Sequence, residues 1–160
     1  RLEIVTFGLR YSAGPAQRAD LAFDLRLFRD PAAGALCDHD GHHPEIISRL
    51  VQHRSFPGFL QSLRSQMVDV LANMRGSGAD ILRIALYCNA GRHRSVACAC
   101  ILDFLAQRSG FRSVALRHES LAPCGCAQCK AGGPQVEYAL SVAWSFWEAN
   151  GVGFMGSLAS

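Results

Sequence analysis

A chain of 160 residues, 49% of them hydrophobic, is long enough for one domain with a real core. Its formal net charge of +3 permits an anionic ligand or RNA without implying either, and no stretch approaches the ~18 uncharged apolar residues of a membrane span. The seven cysteines are odd in number and scattered through apolar segments, which excludes a disulfide framework and points to a reducing, cytoplasmic setting.

The chain begins at Arg1 without a Met, as a piece cut from a longer protein would. Leu2 to Phe7 alternates and is rich in β-branched and aromatic residues, so it reads as a first strand. Gly8 to Pro15 then reads as a loop, with Arg10 and Tyr11 placed to reach an anion. Asp20 to Arg26 reads as a second strand. Asp24 and Arg26 fall at its carboxyl end, where open α/β sheets bind ligands. Asp30-Pro31 closes that unit.

Cys37-Asp38-His39-Asp40-Gly41-His42-His43 is dense in metal-capable groups, yet its spacing matches no ligand pattern, and Asp and Gly also make turns. Pro44 opens a helix running from Glu45 to His53. Ser55 is placed to cap a second, on which Phe59, Leu60, Leu63, Met67, Val70 and Leu71 form a core-facing stripe. Ile81 to Tyr87 is a continuous apolar run and reads as a central strand buried on both faces. The next helix starts at Val96, with Ser95 as its N-cap, and ends near Arg108 before Gly110. Phe111 to Leu116 is another strand, with Arg117 and His118 at its end. The last helix spans Val136 to Asn150. Residues 1–150 make a single domain, and 151–160 read as a frayed, flexible tail. The pattern predicts a small three-layer α/β sandwich around a mostly parallel sheet.

Chemistry concentrates in Cys88-Asn89-Ala90-Gly91-Arg92-His93-Arg94-Ser95, between the central strand and its helix. Gly91 lets the backbone turn tightly, so successive N–H groups can face one centre. The helix N-terminus adds partial positive charge, and Arg92, His93 and Arg94 supplement it. The turn therefore reads as a phosphate cradle. Its Cys-x5-Arg-Ser spacing also fits a thiol phosphatase, with Cys88 as nucleophile, Arg94 on the phosphoryl group, Ser95 assisting the thiolate and Asp24 or Asp30 as candidate acid.

Cys124, Cys126 and Cys129 form a C-x-C-x2-C arrangement whose last pair has zinc-knuckle spacing. His118 is the assigned fourth zinc ligand, with Cys37, His39, His42 and His43 as alternatives brought close in space.

With those residues in view, the chain resembles the C-terminal domain family of the RNase adapter RapZ. Phe7-Gly8, Asp24-Leu25-Arg26-Leu27-Phe28, Asp30-Pro31, the run Cys88 to Val96 and Arg117-His118 carry the likeness, over roughly Ile4 to Glu119. It implies an α/β fold that senses an amino-sugar phosphate, contacts a small RNA and sits in an oligomeric protein. Asn89, Ala90, Gly91, His93, Arg94 and Ser95 would hold the phosphate, with Asp24 and Arg26 nearby and His118 at the rim. The family usually carries a His where this chain has Ala32, and no G-x4-G-K-[ST] nucleotide loop is present. Three readings stay open. One is a phosphometabolite or nucleotide sensor with RNA or protein as partner. The others are a cysteine-dependent phosphatase, though Tyr87 stands where many of those have His, and a zinc-stabilised interaction domain.

Overall fold

Four strands set the frame: β1 (Leu2–Gly8), β2 (Leu21–Asp24), β3 (Leu82–Cys88) and β4 (Val114–His118). The structure is a computed structural model, and it describes residues 1–32, 34–111 and 114–149. All strands run parallel in the order β2-β3-β1-β4. Short connections cannot join parallel neighbours, so helices lie between the strands: α1 (Gly14–Gln17), α2 (Pro44–Val51), α3 (Phe56–Met74) and α4 (Arg94–Arg108), with α5 (Ala127–Ala131) and α6 (Pro134–Glu148) after the last strand.

One sheet face is buried under α2, α3, α4 and α6. Leu2, Ile4, Leu82, Ile84 and Leu86 point into it and meet Ala97, Ile101, Leu105, Leu60, Leu63 and Trp147. The opposite face carries Glu3 and Arg83, 3.4 Å apart as an ion pair, and the stacked rings of Phe7 and Tyr87. Among the described helices the single turn of α1 approaches it, where Pro15 and Arg18 share a hollow with Glu3, Val5 and Arg83. The central strand is thus less enclosed than its sequence suggests: Arg83 is exposed and Tyr87 half-buried. The layers remain three, as the α/β sandwich reading expects.

Several boundaries differ from the sequence reading for identifiable reasons. The second strand stops at Asp24, because that carboxylate accepts the Arg26 N–H at 2.9 Å and caps a 3-10 turn, Leu25–Leu27. Gly14 and Pro15 open a short helix instead of a plain loop, since Pro suits a first turn. The last strand takes in Arg117 and His118, and residues 112 and 113 of the expected Phe111–Leu116 strand lie outside the described residues. The final helix begins at Pro134, and Asn150 with the expected tail at 151–160 lies outside the described residues. Gly110, at φ +91°, ends α4 as the sequence predicts, with its own and Phe111's N–H returned to Gln107 and Ala106 carbonyls. No helix among the described residues is long and apolar enough to cross a membrane.

The order β2-β3-β1-β4 decides where a ligand can sit. Gly8 and Cys88 are level across the β1–β3 pair, and the chain leaves them toward opposite faces, into α1 and α4. Such a divergence at the carboxyl ends of parallel strands opens a crevice.

Candidate anion-binding site

That crevice holds the turn from Cys88 to Ser95. Its backbone is gripped from β1: Leu9 donates to the Cys88 carbonyl at 3.0 Å and Arg10 to the Asn89 carbonyl at 3.2 Å. With those carbonyls committed outward, the turn curls back on itself at Gly91, which adopts φ +67°. A side chain there would also overlap Gly8 N and Phe7 C at 2.5 and 2.6 Å, and a Cβ on Gly8 would sit 2.5 Å from Ala90 C. The two glycines allow turn and strand to touch. Ser120 completes the wall by accepting the Gly8 N–H at 3.0 Å.

α4 starts at Arg94, two residues earlier than Ser95 as N-cap would require. His93 occupies the N-cap position, and no side chain caps the terminus. The first N–H groups of the helix therefore face the turn without partners inside the helix. Ser95 is instead fully buried in the first turn, with Oγ 3.3 Å from Cys88 Sγ.

Arg94 is only 9% exposed. One amine donates to the Phe28 carbonyl at 2.8 Å, while the buried Nε has no hydrogen-bond partner. A guanidinium is costly to bury with a donor unmet, so Nε could serve an acceptor that entered the turn. Asp24 and Asp30 are close enough to feel its charge. Asp30 is held below the usual carboxylate range chiefly by a hydrogen bond from His93, whose Nδ1 lies 3.5 Å away. Asp24 is lowered mainly by its hydrogen bond from Arg26, whose Nε and amine reach both carboxylate oxygens at 2.6–3.0 Å. Arg26 thus spends its fork on Asp24 rather than on the crevice. Arg10 is exposed at the mouth.

Arg92 and His93 lie in the turn but point sideways. Arg92 Nε donates to the His39 carbonyl at 2.9 Å and its amine to Asp38 O at 2.5 Å, and His93 Nε2 donates to the same His39 carbonyl at 3.0 Å. In return Gly41 N–H donates to Arg92 O at 2.9 Å. The 38–41 segment is therefore a second wall, where sequence reasoning saw metal-capable groups and a turn but no contact with the basic residues.

His118, which the resemblance puts at the rim, has Nδ1 2.8 Å from Thr6 Oγ1 and its ring edge-on to His42. Burial, then the neighbouring His42, pushes its pKa down. This occupation removes His118 from the metal set assigned by sequence. The fourth corner belongs to His39, whose Nδ1 lies 3.8, 3.4 and 3.6 Å from the sulfurs of Cys124, Cys126 and Cys129. All four donor atoms lie within 4.8 Å of one another. The Cys129 N–H donates to Cys126 Sγ at 3.4 Å and holds that thiol down to about 6, while burial pushes Cys129 up to about 12. Cys37 is exposed, outside the cluster.

Sequence reasoning also missed Ser120, Thr6 and the Phe28 carbonyl. Thr6 and Ser120 sit in no motif, and Phe28 enters the sequence reading only within the run that carries the family likeness. The one available signal concerned His39: three cysteines without a downstream fourth ligand demand an upstream one.

The RapZ C-terminal domain family matches residues 1–122, about three quarters of the 160-residue chain. The chain belongs to that family. Cys124, Cys126 and Cys129 fall beyond the matched span.

Proposed function

With membership of the RapZ C-terminal domain family as the premise, we propose that this domain binds a phosphorylated small molecule and acts as a sensing or adapter module. The observation that carries the reading is Arg94: a nine-tenths-buried guanidinium with an unmet Nε, at the uncapped N-terminus of α4. A phosphate seated in the turn would accept from helix N–H groups, from the Ser95 side and from Arg94 together. Asn89, Ala90, Gly91 and His93 supply the curled backbone around it. Arg29, Asp30, Pro31, Arg49 and His53 line a hollow that starts at the Asp30–His93 pair and would receive the rest of the ligand. An amino-sugar phosphate, the family's ligand class, suits it, because Asp30 is a carboxylate for an ammonium or hydroxyls. A nucleotide is the competing ligand. RNA or protein contact, and self-association, would belong to surfaces outside this crevice. Zinc is the metal we assign to the thiol–imidazole cluster, argued below.

A second reading rests on the Cys88–Ser95 contact of 3.3 Å, which a thiol phosphatase would use to steady its thiolate. Against it, the carboxyls beside the turn, Asp24 and Asp30, are both held ionised by basic partners. Neither is poised to donate a proton to a leaving group near neutral pH.

Thermal unfolding with inorganic phosphate, glucosamine 6-phosphate and nucleotides in turn tests the first reading. A specific ligand at about 100 times Kd adds about 2.7 kcal/mol of stability. That is roughly 5–10 °C in Tm for a chain of this size. The shift disappears in Arg94→Ala. No shift with any of the ligands overturns sensing at this site, and phosphate release that Cys88→Ser abolishes establishes the phosphatase instead.

A further inference from the structure

We infer that His39 Nδ1 and the thiolates of Cys124, Cys126 and Cys129 bind one Zn²⁺, and that this zinc clasps the 38–41 segment against the anion turn. The geometry speaks first. In a tetrahedral site with Zn–S about 2.3 Å and Zn–N about 2.0–2.1 Å, sulfur and nitrogen stand about 3.5 Å apart. The three S···N separations are 3.4, 3.6 and 3.8 Å, already at that edge length. Three thiolates and one imidazole form a closed structural set, soft enough to prefer zinc over the oxygen-seeking cations. The Cys129 N–H to Cys126 Sγ bond is the outer support that such a set requires, and it doubles as the cap of α5. A second support is Asp40, 1% exposed, whose carboxylate accepts the Cys124 N–H at 2.7 Å and the His42 N–H at 2.8 Å.

The coupling follows from what else His39 holds. Its ring faces the sulfurs while its carbonyl accepts from Arg92 and His93. Two residues on, Gly41 donates to Arg92 O and lies so close to the start of α4 that a Cβ would collide with His93 O and Ala97 N. Apart from these bonds, residues 34–42 form turns with no sheet or helix ladder to hold them. One short segment therefore has the cluster on one side and the basic turn on the other. Fixing the His39 ring fixes its carbonyl, and with it the directions in which Arg92 and His93 lie. The metal assignment stands on the four donors alone; the effect on ligand affinity rests on the anion-binding reading above.

The test begins with metal content. Chain purified without chelator is expected to hold one zinc per molecule, and cobalt exchange to give the intense visible bands of a tetrahedral thiolate site. Cys37→Ser should keep both, whereas Cys126→Ser and His39→Ala should lose both. Metal that is absent, or present equally in Cys126→Ser, overturns the site. Because those variants can fail to fold, the clasp is read on wild-type chain stripped by a chelator. Amide exchange of Gly41 and Cys124 should quicken, and inorganic phosphate should bind about tenfold more weakly, within the usual range of coupling between sites. Zinc that leaves without changing either amide overturns the clasp. Zinc-loaded chain that binds no phosphate, yet shows the amide response, keeps the clasp and refutes the anion reading.

Discussion

The two chemical centres of this molecule are built in opposite ways. The anion turn is contiguous: eight successive residues, Cys88 to Ser95, leave one strand and enter one helix. Its character comes from backbone shape, from Gly91 at φ +67° and an uncapped helix start. The thiol–imidazole cluster is assembled from segments 85 to 90 positions apart, and its character comes wholly from side-chain chemistry. A site made of backbone is vulnerable to a methyl group and tolerant of changes in neighbouring side chains. A site made of side chains is the reverse.

Gly91→Ala should do the most damage and so draw the contrast most sharply. Backbone forced into the left-handed region, with a Cβ overlapping β1, should cost about 3 kcal/mol or more in chemical denaturation. Gly125→Ala, whose Cβ would meet no atom within 4 Å though it sits amid the cysteines, should cost less than about 0.5 kcal/mol. Equal losses would break the comparison. Next in size is Arg94→Met. Removing a charged donor from a buried acceptor should weaken phosphate binding by about 1.5–3 kcal/mol, roughly 10- to 100-fold by calorimetry. Unchanged affinity would show that the turn does not work through that guanidinium. Ser95→Ala should lower phosphate affinity by about 1 kcal/mol or less, since one neutral hydroxyl is lost while the backbone cradle persists. A loss as large as that of Arg94→Met would mean that side chains, not backbone, dominate here too.

The smallest effect concerns pH. His118 has a folded pKa below its ordinary value because burial disfavours the imidazolium. The unfolded chain takes up a proton near pH 6.5 that the folded ring resists. Stability contributed by the neutral ring is thus present above about pH 6.5 and falls as pH drops toward the folded value. His118→Gln should flatten that part of a Tm-against-pH curve. A slope that survives would assign it to other histidines.

What the sequence disclosed follows the same division. The turn, the strand before it and the helix after it were readable because Gly91, the basic residues and the flanking apolar runs lie side by side. The α/β class was readable for the same reason: each strand and helix carries its own periodicity. Boundaries failed where a side chain reached back to the main chain, as Asp24 does in ending β2. The thiol–imidazole set was readable only in its three cysteines, since choosing His39 over His118 depends on which strand ends beside which loop. His118 closes β4 and is already held by Thr6 on β1, whereas the His39 ring, on a segment outside sheet and helix, faces the three sulfurs. The Phe28 carbonyl that anchors Arg94 could not be foreseen at all, because a main-chain oxygen has no letter in the sequence.

The close approach of Gly8 to Ala90 and of Gly91 to β1 has a consequence for how such a domain can diversify. Where two stretches of backbone touch, no inherited substitution can enlarge either without moving both. A phosphate grip of the kind proposed for this turn would be held fixed by that contact. The mouth, with Arg10 in the open, accepts new side chains at little structural cost. Descendants of one ancestor would then come to distinguish different phosphorylated molecules by their rims while holding the phosphate itself in an unaltered way.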